Sequence, residues 1–100
     1  MHKSDYEKYV ESRCKPYVDK NYCAVALAEE SGEVCGYWKK YQLRGNPDGK
    51  FTPDDLKSEL GDVLFYLTRM ALLHGWSLDD VMQYNVEKLD QRVAKGKVVG

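Results

Sequence analysis

Two pairs of carboxylates sit inside otherwise apolar sequence: Glu30 and Glu33 in Ala-Leu-Ala-Glu-Glu-Ser-Gly-Glu-Val, and Glu59 and Asp62 in Glu-Leu-Gly-Asp-Val-Leu-Phe-Tyr-Leu. Each pair is spaced i,i+3, which on an α-helix puts both acids on one face. Glu30 falls three residues after Leu27 and four before Val34. Glu59 falls three after Leu56 and four before Val63, so each acid interrupts an apolar stripe instead of lying opposite it. Four carboxylates converging within a helical bundle repel one another and lose hydration, which calls for a compensating cation. No histidine or cysteine accompanies them, so the ligands are all oxygen and suit Mg²⁺, with Mn²⁺ the alternative. Such a site does chemistry on phosphates. The rival explanation is structural, with the acids paired to bases such as Lys57 or Arg69 on helix surfaces.

A second set of residues suits phosphate oxygens. Asn85, Lys88 and Arg92 are spaced i, i+3 and i+7, within one narrow sector of a helix, and offer an amide, an ammonium and a guanidinium. Lys39, Lys40 and Arg44 form a basic stretch, with Lys40 seven residues beyond Glu33 and hence on its face of a regular helix. Compensation of a helix dipole explains these cations equally well. Tyr37 and Tyr66 lie four residues beyond Glu33 and Asp62, where either would flank the acids and offer a ring to a base. Trp38 continues the stripe of Leu27 and Val34 and reads as core, and Trp76 as the pin of a turn.

The elements that must position these groups are helices. Ser4-x-x-Glu7 fits a capping box, so a first helix starts there and runs towards Cys14, before Pro16 breaks it. A second helix runs from about Asp19 or Asn21 to about Leu43, and Arg44-Gly-Asn-Pro-Asp-Gly-Lys is turn-forming sequence. Thr52-Pro53-Asp54-Asp55 opens a third helix that reaches Leu73 and ends before Gly75. Ser77-Leu-Asp-Asp80 caps a fourth, reaching Ala94 and closed by Gly96. Strand alternation is lacking, so the fold class is all-α, a bundle of four to five helices. The third helix is apolar around most of its circumference, more than three short neighbours cover, which points to a homodimer that completes the core and the site.

The totals agree with one domain over residues 1–100. A net charge of -1 gives no bulk attraction to nucleic acid or to an anionic membrane. The apolar run Val63–Leu67 is too short to span a bilayer, and the first residues lack a signal-peptide core. Cys14, Cys23 and Cys35 show no C-x-x-C spacing and read as small buried hydrophobes in a reducing compartment, so the expected location is cytoplasmic.

Glu29-Glu30-Ser31-Gly32-Glu33 followed by Glu59-Leu60-Gly61-Asp62 resembles the E-E-x-x-E…E-x-x-D signature of the MazG-like nucleotide pyrophosphohydrolases, an all-α superfamily. Asn85-Val-Glu-Lys88-Leu-Asp-Gln-Arg92 resembles the N-x-x-K-L-x-x-R segment that follows in many members. The resemblance spans roughly residues 20 to 95 and is to the short, single-domain branch. It implies that Glu30, Glu33, Glu59 and Asp62 are Mg²⁺ ligands, that Glu29 is a supporting acid, and that Lys88 and Arg92 face the phosphates. It also implies a dimer or tetramer that splits nucleoside triphosphates into monophosphate and pyrophosphate. In that reaction a water attacks the α-phosphorus, and either Glu29 or Glu33 takes its proton. Two alternatives stand beside this reading. One is a non-catalytic helical oligomerisation module with a structural cation, the other an enzyme like phosphoribosyl-ATP pyrophosphohydrolase. The resemblance leaves the base and sugar open.

Overall fold

Capping chemistry in the sequence sets most of the helix boundaries. The computed structural model describes residues 1–98 and residue 100. Among them it contains α1 (Lys3–Arg13), α2 (Lys20–Trp38) continuing into a π-helical turn (Lys39–Leu43), α3 (Pro53–Leu73) and α4 (Leu78–Ala94), and no strand. The chain is all-α.

Asp19 begins α2 by accepting from the Tyr22 amide at 2.9 Å. At the start of α3 the Thr52 amide donates to Asp55 Oδ2 at 2.7 Å, with Pro53 at the first helical position. Ser77 and Asp80 cap α4 reciprocally, at 3.1 and 2.9 Å. Gly75 (φ +79°) and Gly96 (φ +77°) close α3 and α4 in the left-handed region. The start of α1 departs from the sequence expectation: His2 occupies the N-cap without a side-chain bond, and Ser4 lies inside the first turn. Glu7 does not fold back as a capping box. Its carboxylate accepts instead from the Leu78 amide at 2.7 Å, so a tertiary partner displaces the local cap.

The end of α2 widens where an α-helix was expected to run on to Leu43. The Arg44 amide donates to the Lys39 carbonyl at 2.9 Å and the Asn46 amide to the Lys40 carbonyl at 3.1 Å. This π turn shifts the angular phase of the residues after Trp38. Tyr37 is buried and stacks on Tyr41 (centroids 5.3 Å apart, planes 12° apart), with Phe51 edge-on at 6.1 Å. Trp38, expected in the core, is 46% exposed because this aromatic cluster takes its neighbour inwards. Asn46 adopts φ +50° and clasps Phe51, donating to its carbonyl at 2.8 Å and accepting from its amide at 3.2 Å.

The most extensive helix pair is α2 with α3, while α4 touches α1 and α3 only lightly. The buried side chains include Val10, Val18, Cys23, Ala26, Thr68, Ala71 and Leu78. Cys23 is the small buried hydrophobe the sequence suggested, Cys14 is half-buried, and Cys35 is exposed, contrary to that expectation. Leu60, Leu64 and Leu67 leave an apolar stripe of α3 in solvent. The chain exposes 7554 Å², whereas a compact monomer of this mass exposes about 5,800 Å². Its radius of gyration is 16.4 Å, against about 13 Å for a compact 100-residue domain. No described helix is long and apolar enough to cross a membrane.

Candidate metal centre

Packing of α2 on α3 brings the two acid motifs face to face. Glu30 from α2 meets Glu59 and Asp62 from α3, one carboxylate oxygen from each lying within 4.8 Å of the others. Glu30 and Glu59 are half-buried and Asp62 is exposed. Burial pushes the Glu30 carboxyl above the ordinary carboxylate range, and the charges of Asp62, Glu29, Glu59 and Glu33 push it further. The other four acids of the two motifs therefore all act on Glu30. Glu33 and Glu29 are exposed and stand outside the three-oxygen set, but their charge reaches it.

Among the described residues no base forms an ion pair with this cluster. Among the described residues the ion pairs are Lys3–Asp79 at 3.2 Å and Lys57–Asp54 at 3.6 Å. Arg69 spends its Nε on the Val18 carbonyl at 3.0 Å. Two of the bases that a purely structural explanation would enlist, Lys57 and Arg69, thus have partners outside the cluster. Mutually repelling carboxylates without a cationic side chain, and without histidine or cysteine among them, form a donor set that fits a hard divalent cation.

The residues expected to meet phosphates lie on α4 and at the end of α2. Asn85 and Lys88 line a groove of about 690 Å³ whose other walls include Tyr6 from α1 and Leu64 and Leu67 from α3. The Tyr6 phenol is pushed up by burial first, then by Tyr9 and by Asp62. Arg92 is exposed, four residues beyond Lys88. Lys40 extends its ammonium 5.6 Å over the Phe51 ring, in a small pocket that Arg44 and Lys50 also line.

Of the two candidate tyrosines, Tyr37 belongs to the core cluster. Tyr66 stands beside the acids, its hydroxyl pushed up by burial, then by Tyr22, and also by Glu30. Its ring tilts against Tyr22 at 6.1 Å. Tyr6 and Tyr22 carry no signal in the sequence that relates them to the acids; only the docking of α1 and α2 on α3 does so.

Residues 20–96 match the family model of the MazG nucleotide pyrophosphohydrolase domain. The Gene 37 protein of Mycobacterium phage L5 is 35% identical over 91 residues, covering 87% of this chain and 77% of that protein. The uncharacterized protein YvdC of Bacillus subtilis (strain 168) is 32% identical over 96 residues, covering 90% of this chain and 87% of that protein. No solved structure matches the chain.

Proposed function

This chain belongs to the MazG nucleotide pyrophosphohydrolase family, and on that footing we propose that it hydrolyses nucleoside triphosphates to monophosphate and pyrophosphate, with Mg²⁺ and as a homo-oligomer. The observation that carries the reading is the convergence of Glu30, Glu59 and Asp62 within 4.8 Å, with no ion pair to any of them among the described residues. These three would hold the ion, with Glu33 as the fourth ligand; Mn²⁺ suits the same oxygens. When bound, the ion neutralises triphosphate charge and lowers the pKa of a coordinated water.

The remaining chemistry belongs to the side chains. Glu29 or Glu33, both in solvent beside the cluster, accepts the proton of the attacking water. Asn85, Lys88 and Arg92 bind phosphate oxygens, and the two cations offset the charge that builds on the departing pyrophosphate. Lys40 serves as a further phosphate contact at the end of α2. The single chain exposes roughly 1,700 Å² beyond what a compact monomer of its mass would. Covering that excess in two copies falls within the range of about 2,000–5,000 Å² typical of permanent dimers. A second copy over Leu60, Leu64 and Leu67 supplies the cover, in a homodimer or a tetramer built from it.

The test is direct. The purified protein is incubated with each nucleoside triphosphate and Mg²⁺, and pyrophosphate and monophosphate are measured in equal amounts. Release of orthophosphate alone, or no release from any nucleotide, contradicts the proposal.

A further inference from the structure

The helix that carries Asn85, Lys88 and Arg92 is held only lightly by the rest of the fold, with Leu78 its buried residue. What fixes its N-terminus comes from α1, which lies outside residues 20–96 matched to the family. The Leu78 amide, one of the helix's free N-terminal donors, gives its proton to Glu7 Oε2 at 2.7 Å across 71 residues of sequence. On the same turn Lys3 Nζ lies 3.2 Å from Asp79 Oδ1. Ser77 and Asp80 already complete the local cap of α4, so Glu7 is not needed to form the helix. It adds a tether. A carboxylate at this position is held by a charge-assisted hydrogen bond and by the positive end of the helix dipole. One residue before Glu7, Tyr6 forms a wall of the groove that Asn85 and Lys88 line.

We infer that Glu7 is a positioning residue: by holding the start of α4, it fixes Asn85 and Lys88 at the register in which they meet phosphate. This rests on the proposed role of those two residues. It assigns α1 a part in nucleotide binding that the acid motifs do not supply. Because Glu7 bonds the start of α4 and stands outside the acid cluster, losing it acts through Asn85 and Lys88 and lowers kcat/KM.

The experiment compares wild-type protein with Glu7→Ala, Glu7→Gln and the exposed control Lys8→Ala. It measures steady-state pyrophosphate release together with amide hydrogen exchange at Leu78. Glu7→Ala should lower kcat/KM about tenfold, since small misplacements of binding groups cost that much. Exchange at the Leu78 amide should speed up at least as much. Glu7→Gln keeps an acceptor oxygen for that amide and should recover kcat/KM to within about threefold of wild type. A wild-type kcat/KM in Glu7→Ala overturns the inference. So does a Glu7→Gln variant as impaired as the alanine one in both kcat and KM, which marks a general loss of fold. Wild-type protein inert towards every nucleotide overturns the proposed function itself, a failure distinct from an active enzyme indifferent to Glu7.

Discussion

Replacing Glu30 by glutamine keeps the shape of the side chain and removes the charge at the centre of the acid cluster. In the folded chain this carboxyl resists ionisation, because of its burial and then because of Asp62, Glu29, Glu59 and Glu33. Two of those neighbours, Asp62 and Glu59, present oxygens within 4.8 Å. Unit charges at that separation repel by about 0.9 kcal/mol in water, and by about 3.5 kcal/mol at an effective dielectric constant of about 20. Asp62 is exposed and Glu30 only half-buried, so screening favours the lower figure, about 1 kcal/mol for each pair. Removing two such repulsions should raise the metal-free melting temperature of a domain this size by on the order of 10 °C.

The pH dependence has a definite sign. A carboxyl whose folded pKa is raised favours the fold while it is protonated, and that contribution is lost as pH rises through the folded value. The gain of Glu30→Gln should therefore be absent in acid and develop as pH climbs above the ordinary carboxylate range. It should shrink in high salt, and Mg²⁺ should stabilise wild type more than the variant. Calorimetry at one protein concentration, first in chelator and then with Mg²⁺, measures all of this. A variant that melts below wild type at neutral pH without metal would show that Glu30 serves as a structural partner, and would refute the reasoning.

Arg92→Ala and Lys88→Ala each remove a charge-assisted contact worth on the order of 1.5–3 kcal/mol, so kcat/KM should fall about 10- to 100-fold. The Mg²⁺ dependence of stability should stay as in wild type, and unchanged turnover in both variants would exclude the α4 phosphate contacts. Leu64→Asp places a charge on the exposed α3 stripe and should turn a dimer or larger assembly into monomer or unfolded chain by light scattering. A wild-type protein that is already a stable monomer at micromolar concentration would contradict the oligomer. Excess chelator should abolish turnover and Mg²⁺ or Mn²⁺ restore it; full activity in chelator would remove the cation from the mechanism.

The local chemistry of the chain is legible because its signals are short-range. Asp19, Thr52-Pro53 and Ser77-x-x-Asp80 cap helices with bonds made within three residues, and Gly75 and Gly96 end them for reasons of backbone sterics. The meeting of Glu30 with Glu59 and Asp62 was foreseeable because both motifs interrupt apolar stripes, and two such stripes pack on each other. What was not legible depends on distant partners. Ser4-x-x-Glu7 has the pattern of a cap, yet Glu7 finds a better donor 71 residues away. Nothing in the sequence marks the π turn that precedes the Asn46–Phe51 clasp, or the packing of Tyr37 with Tyr41 and Phe51 that leaves Trp38 in solvent, because both involve the following loop. Tyr6 has no signal in the sequence for the same reason: its place beside the groove depends on how α1 docks.

The central claim is that the acid cluster supports cleavage of a nucleoside triphosphate between its α- and β-phosphates. The most direct measurement follows phosphorus-containing products by ³¹P NMR in ¹⁸O-labelled water, with Mg²⁺, for wild type and for Glu59→Gln. The account predicts monophosphate and pyrophosphate in equal amounts, with the label in the monophosphate, and no turnover in the variant. Label in orthophosphate, undiminished turnover by Glu59→Gln, or no hydrolysis of any nucleotide by wild type would contradict it, the last favouring a cation-holding oligomerisation module.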